Sequence, residues 1–338
     1  MAGIDGAETA RQTPLRVVYF GTPEFAVPAL RAFAADDRFL ISLVVTQPDR
    51  PAGRGRRLER SAVGQEADAL GLTLYQPVSL KTQELRQPLV DQQADLFVVA
   101  AFGLIFGPKT LAIPRYGCLN IHGSLLPRFR GASPVQCAVL AGDLSSGITV
   151  MKMDVGLDTG DVLATSTVTL AKDETSASLM EKLAGLGGQL APSTAFEFCA
   201  GKRMPISQAE EGVSVTRLIT KADGWLDWNC PAEDLERRVR AMWPWPRAWT
   251  TAGDLSLQVH RASLAEGPEV GRPGETAVRN DQLVVQCNPG LLALETVQPA
   301  GKRPMDGTAF GRGFGSGLHL GTTGDPGAQP PVWSEIEA

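Results

Sequence analysis

The eight residues Asp95–Phe102 constrain the fold of this chain more than any other stretch. After its first residue the run is apolar without interruption (Asp-Leu-Phe-Val-Val-Ala-Ala-Phe). A strand of that kind has no face to turn to water, so it belongs in a parallel sheet covered by helices on both sides. Its surroundings agree. Leu15–Phe20 is a β-rich run that ends in Gly21-Thr22-Pro23, where Thr22 suits an N-cap and Pro23 a first helical residue for the segment reaching Phe33. Strand Phe39–Thr46, helix Ser61–Leu70, short strand Leu72–Tyr75 and helix Gln83–Gln92 precede the apolar run. Strand Cys118–Ile121, a helix near Pro134–Leu140, strands Ile148–Met153 and Val162–Leu170, and a long helix over Ser176–Phe198 follow it. Alternation of this type predicts an α/β, doubly wound, mainly parallel (Rossmann-like) sheet over residues 15–200. Ligands of such sheets bind beyond the carboxyl ends of the strands, where the strand order reverses.

Past Ala200 the pattern changes, and 338 residues suit two domains better than one. Residues 201–217 are polar and read as a linker. Within 218–311 one helix (Ala232–Met242) leads into short strands at Leu255–Arg261, Gly274–Arg279, Gln282–Cys287 and Leu291–Pro299, which predicts a smaller β-barrel domain. Residues 312–338 are rich in Gly, Pro and Thr and read as a flexible tail, and residues 1–14 as a disordered extension.

Several function classes are disfavoured. The five cysteines (Cys118, Cys137, Cys199, Cys230, Cys287) are odd in number and contain no C-x-x-C pair, so free thiols in a reducing cytoplasm are expected. With three histidines in the chain, no metal-ligand cluster is expected either. No run approaches the roughly 18 apolar residues of a membrane span, and the N-terminus lacks the pattern of a secretory signal. A cytoplasmic monomer without membrane contact is the expectation. The net charge of −5 does not announce a nucleic-acid binder. Yet Arg50, Arg54, Arg56, Arg57 and Arg60 fall close together, opposed only by Glu59. Such a run is either a solvated loop or a local phosphate-attracting patch.

The first βα turn, Phe20-Gly-Thr-Pro-Glu-Phe25, is not G-x-G-x-x-G, which removes the usual support for a nicotinamide or flavin. The chemistry concentrates instead in Gly117-Cys-Leu-Asn-Ile-His-Gly-Ser-Leu-Leu-Pro-Arg-Phe-Arg-Gly131. Asn120 and His122 stand two apart on a strand and therefore share a face. An amide donor beside an imidazole at a strand's carboxyl end suits catalysis, and it suits equally a satisfied histidine beside a strand-end amide. Downstream, Asp154, Asp158 and Asp161 lie in one loop; any of them can work as a base or cap a turn, and Gly156 and Gly160 bracket Asp158 tightly.

The stretch Asn-x-His-Gly-Ser-Leu-Leu-Pro followed by Arg-x-Arg-Gly resembles the signature of the 10-formyltetrahydrofolate-dependent formyltransferases. Met153-Asp-Val-Gly-Leu-Asp-Thr-Gly-Asp161 resembles that family's second motif. Similar segments at Phe20–Phe25, Thr46–Gly55, Ala101–Phe106 and Gln298–Lys302 extend the likeness over about residues 15–310. The resemblance implies formyl transfer from 10-formyltetrahydrofolate to an amine, with Asn120, His122 and Asp158 catalytic and no metal. It implies folate contacts from Phe102, Gly103 and Leu104 and from Ser124, Leu125, Leu126 and Pro127. The loop Gln47–Arg57 resembles the one that engages tRNA in the branch acting on initiator methionyl-tRNA, with Arg54 at its key position and Arg50, Arg56 and Arg57 beside it. The second domain resembles that branch's OB-like barrel, with Arg237, Arg238, Arg240, Arg247, Lys302 and Arg303 as further RNA candidates and Trp243 and Trp245 as packing residues. A small-amine acceptor, glycinamide ribonucleotide or an amino sugar nucleotide, is the alternative. It needs neither the arginine loop nor a barrel.

Overall fold

The computed structural model describes residues 13–52, 57–314, 317–327 and 329–336. The expected N-terminal extension lies almost entirely outside them. The chain forms two compact units. The first comprises Met1–His122, Ile148–Ser166 and Leu183–Gln208, and the second Gly123–Gly147, Thr167–Lys182 and Ala209–Ala338.

The first unit is built on strands β1 (Leu15–Gly21), β2 (Phe39–Val45), β3 (Leu74–Tyr75), β4 (Leu96–Ala100), β5 (Cys118–His122), β6 (Ser145–Lys152) and β7 (Val162–Thr169), in the order β7-β6-β5-β4-β1-β2-β3. The pairs β1/β2, β1/β4, β2/β3 and β4/β5 are parallel, while β5/β6 is antiparallel. The sheet is therefore mainly parallel and doubly wound. All five residues of β4 are buried, as continuous apolarity requires. The strand order turns back between β1 and β4, which places the ligand-binding crevice of this fold class beside Gly21 and Ala100. Under that edge Phe20 packs on Phe97, Phe102 and Phe106 with ring centroids 5.0, 5.3 and 5.0 Å away, so the rim rests on a rigid aromatic floor.

The second unit contains an antiparallel sheet of β8 (Ala248–Ala252), β9 (Leu255–Ala265), β10 (Thr276–Arg279), β11 (Gln282–Gln286) and β12 (Leu291–Pro299), ordered β8-β9-β12-β11-β10, with Met305–Asp306 added on β12. Helix Ala232–Ala241 buries Leu235 and Val239 in the same core as Trp228, Leu257, Leu292 and Phe310.

The tail is a correction to the sequence reading. Over the described residues beyond 311 it does not behave as a loose end. The helix Gly307–Phe314 runs into it, Leu320 is 1% exposed, and Trp333–Glu335 pairs antiparallel with Ser214–Thr216. The Leu318 carbonyl accepts from the Thr276 amide on β10, while the Leu320 and Gly321 amides donate to Gly274 and to Thr251 on β8. One segment thus bonds both outer strands of the sheet and satisfies edges that would otherwise stand open. Low apolar content hid this, because backbone groups do most of the anchoring. The linker also differs from expectation. Ile206 exchanges two backbone hydrogen bonds with Val162, and Ser214–Thr216 is a strand.

Candidate functional site

Strand β5 carries Asn120 and His122 on one face, while Ile121 on the other approaches Gly187 so closely that a β-carbon there would sit 2.9 Å from its methyl group. The loop between β6 and β7 brings Asp158 to the Asn120/His122 face. The Asn120 carboxamide donates to Asp158 Oδ1 at 3.2 Å, and His122 Nδ1 lies 3.6 Å from Asp158 Oδ2. His122 is 6% exposed and the Asp158 side chain 14%, so this contact is largely withdrawn from solvent. Asp158 holds a left-handed φ of 52°, a conformation uncommon outside glycine, asparagine and aspartate.

The two neighbouring carboxylates are occupied elsewhere. Asp154 Oδ1 accepts from the Gly156 amide at 3.0 Å and the Thr159 hydroxyl at 2.7 Å, and Asp161 Oδ1 accepts from the Ser207 hydroxyl at 3.1 Å. Both shape the loop. Gly160 has a steric reason to be glycine, since a β-carbon would stand 1.8 Å from the Lys152 carbonyl oxygen.

At the switch point, the Phe102 carbonyl accepts from Thr22 Oγ1 at 3.1 Å and from Gln47 Nε2 at 2.8 Å. The Phe102 ring is 2% exposed and part of the aromatic floor, so this residue shapes the segment from beneath. Gly103, at φ 81° and pressed against the Gln47 amide, leaves its backbone accessible, and Leu104 is half-buried. In the second unit Ser124 is buried and its hydroxyl donates to the Arg128 carbonyl at 2.6 Å, closing the turn that presents half-buried Leu125, Leu126 and Pro127.

The basic loop contains a two-stranded ribbon, Arg50–Ala52 against Arg57–Glu59, with Arg50 opposite Glu59. Arg54 and Arg56 lie outside the described residues, and Arg57 is described in backbone only. Arg50 is exposed and donates to Gln47 Oε1 at 2.5 Å. Gln47 therefore joins the ribbon's base to the Phe102 carbonyl. Thr22, expected as an N-cap, caps no helix and spends its hydroxyl on the Phe102 carbonyl instead, while Gln47 and Gln208 were passed over as site residues. Their partners are tens of residues away, and no local spacing signals them.

Among the second unit's arginines, Arg237 pairs with Asp234 and Arg240 with Glu236, at 2.5 and 2.6 Å. Lys302 and Arg303 are exposed. Trp243 does pack, 5.2 Å from the His260 ring and beneath Arg247, but Trp245 is 57% exposed and corrects the packing expectation. Burial pushes the Cys118 and Cys137 thiols up to about 12, so neither is a thiolate at neutral pH. No group of three or more potential metal-ligating His, Cys, Asp or Glu side chains occurs among the described residues.

Comparison with known proteins now places the chain. Residues 15–195 match the formyl transferase family and residues 218–315 the formyl transferase C-terminal domain. A methionyl-tRNA formyltransferase of Thiobacillus denitrificans is 45% identical over 311 residues, which cover 91% of this chain and 100% of the relative. The chain belongs to the methionyl-tRNA formyltransferase family. A second methionyl-tRNA formyltransferase, from Myxococcus xanthus, is 43% identical over 94% of this chain and 98% of its own. The fold is shared more widely than that family. An N-formyltransferase from Helicobacter canadensis, solved with folinic acid and dTDP-3-aminofucose, superposes with a TM-score of 0.62 at 14% identity, over 83% of this chain and 98% of that one.

Proposed function

We propose that this protein transfers the formyl group of 10-formyltetrahydrofolate to the α-amino group of methionyl initiator tRNA. The observation that carries the reading is the meeting of an amide, an imidazole and a carboxylate from β5 and the β6–β7 loop, within 3.2 and 3.6 Å of the carboxylate oxygens, beside the switch point of the sheet. The family to which the chain belongs supports the acceptor.

The amine attacks the formyl carbon, its new C–N bond forms, and the carbonyl electrons move onto oxygen. In this reading the Asn120 amide and His122 meet that oxygen, a contribution worth roughly 10²–10³ in rate for one such donor. Asp158 holds the imidazole in orientation, balances the positive charge it gathers, and takes up or relays the proton lost by the amine. Collapse of the intermediate breaks the bond to the folate nitrogen, which receives a proton. A free α-amino group titrates near pH 7.7–8.0, so the nucleophile needs little activation at neutral pH. The chain's own residues orient, polarise and move a proton; no covalent enzyme intermediate is required.

For the folate, Gly103 offers backbone hydrogen bonds and Leu104 an apolar edge, with Phe102 supporting them from below. Ser124, Leu125, Leu126 and Pro127 form the other proposed contact segment. For the tRNA, the ribbon carrying Arg50, Arg54, Arg56 and Arg57 engages the acceptor end through phosphates or unpaired bases. Lys302, Arg303 and exposed Trp245 are the second unit's proposed contacts, because its other arginines are largely engaged by carboxylates and carbonyls. The protein is proposed to act as a monomer in the cytoplasm, in keeping with its five free thiols.

The test is a formylation assay with competing acceptors. Charged initiator tRNA should be formylated at least about 10³-fold more efficiently, by kcat/KM, than glycinamide ribonucleotide or an amino sugar nucleotide, a preference of about 4 kcal/mol. Preference for either small amine would overturn the assignment.

A further inference from the structure

The residues between the two expected domains do more than join them. Within the first unit, Ile206 pairs with Val162 at the start of β7 through backbone hydrogen bonds of 2.8 and 2.9 Å. Two residues later the Gln208 side chain reaches back across fifty positions. Its Nε2 donates to the Asp158 carbonyl and to the Gly160 carbonyl, both at 2.7 Å. A carboxamide nitrogen has two hydrogens, and this one spends both on the backbone that frames Asp158.

The loop needs an external hold. Its apolar side chains do not anchor it: Val155 is 70% exposed and Leu157 57%. The Met153 amide ties the loop's base to the Cys118 carbonyl on β5 and the Asp154 hydrogen bonds tie the loop to itself, while Gln208 holds its far side. Asp158 sits at a positive φ, a region less favourable than the right-handed one for a residue with a β-carbon. A rotation of the Asp158 peptide would carry its carboxylate away from Asn120 and His122. Gln208 grips the carbonyl of that residue itself.

We infer that Gln208 is a positioning residue, whose carboxamide fixes the Asp158 backbone so that the carboxylate faces Asn120 and His122 together. The inference rests on the reading of Asp158 as catalytic. Gln208 is half-buried and acts through the Asp158 backbone that it holds, so its effect falls on turnover and not on substrate affinity.

Gln208→Met keeps length and removes both donors. Gln208→Glu keeps shape and sets a carboxylate against two carbonyl oxygens. Each should lower kcat about 10- to 100-fold, as expected for two lost hydrogen bonds. KM for tRNA and for the folate should stay within about twofold, and Tm within about 3 °C. The distinguishing measurement is a double-mutant cycle with Asp158→Asn. If Gln208 acts through Asp158, adding Gln208→Met to that variant should change kcat less than about twofold. A Gln208→Met enzyme within about threefold of wild type, additive losses in the cycle, or a fall in Tm together with a rise in both KM values would each overturn the inference. Wild-type turnover by Asp158→Asn alone would instead remove the catalytic reading on which it stands.

Discussion

Replacing Asp158 by Asn removes one negative charge while keeping the shape that Asn120 and His122 meet. With 3.6 Å between His122 Nδ1 and Asp158 Oδ2, a full imidazolium charge interacts with the carboxylate by about 4–5 kcal/mol at an effective dielectric constant near 20. That corresponds to about three decades in rate if the whole charge develops in the transition state. A charge half developed gives about half the energy and about 50-fold, so kcat should fall by between about 50-fold and about 10³-fold. The residual amide dipole offsets little, because its nitrogen offers a donor where His122 also offers one. Rapid-quench single-turnover formylation of charged initiator tRNA, at saturating folate, isolates the chemical step from product release. Folate affinity, measured by fluorescence titration, should change by less than about twofold, since the substitution keeps the side chain's shape and leaves the proposed binding segments unchanged. A single-turnover rate within about threefold of wild type would refute the electrostatic role of Asp158. Equal losses in rate and folate affinity would point to a displaced loop.

Two further perturbations probe what holds the molecule together. Deleting residues 317–338 removes Leu320 from the second unit's core, worth about 2 kcal/mol, and three backbone hydrogen bonds to the sheet edges at about 1 kcal/mol each. Calorimetry should show Tm lowered by about 10 °C or more, whereas a tail without structural work would leave it unchanged. The second concerns acid. Burial alone would raise Glu174, but hydrogen bonds from Lys182, Ser178 and the Ala171 amide outweigh it and hold the carboxyl below its ordinary range; Asp223 is held low likewise by Arg217 and Thr220. Folded-state values below the unfolded ones mean the stabilisation is complete above about pH 5 and disappears as pH falls through the lowered values. Urea midpoints should therefore be flat from pH 7 to about 5 and fall below about 4, with a shallower acid limb in Glu174→Gln. An unchanged acid limb in that variant would show that Glu174 contributes nothing to the pH dependence.

The alternation of apolar runs with helical periods by itself determined the doubly wound sheet, because burial on two faces permits no polar residue in β4. The spacing Asn-x-His by itself put two side chains on one face, since a strand's period is two. Which of three aspartates would join them was not decided there: Asp154, Asp158 and Asp161 are alike as residues. Only the folded loop engages Asp154 and Asp161 with their own neighbours and turns Asp158 toward β5. Only it brings Gln208 across the chain to the Asp158 carbonyl, and a Gly- and Pro-rich terminus onto the open edges of a sheet. Local patterns report the environment along the backbone, which hydrophobic burial sets residue by residue. Hydrogen bonds between distant segments depend on where those segments end up, and that information arises only when the chain closes on itself.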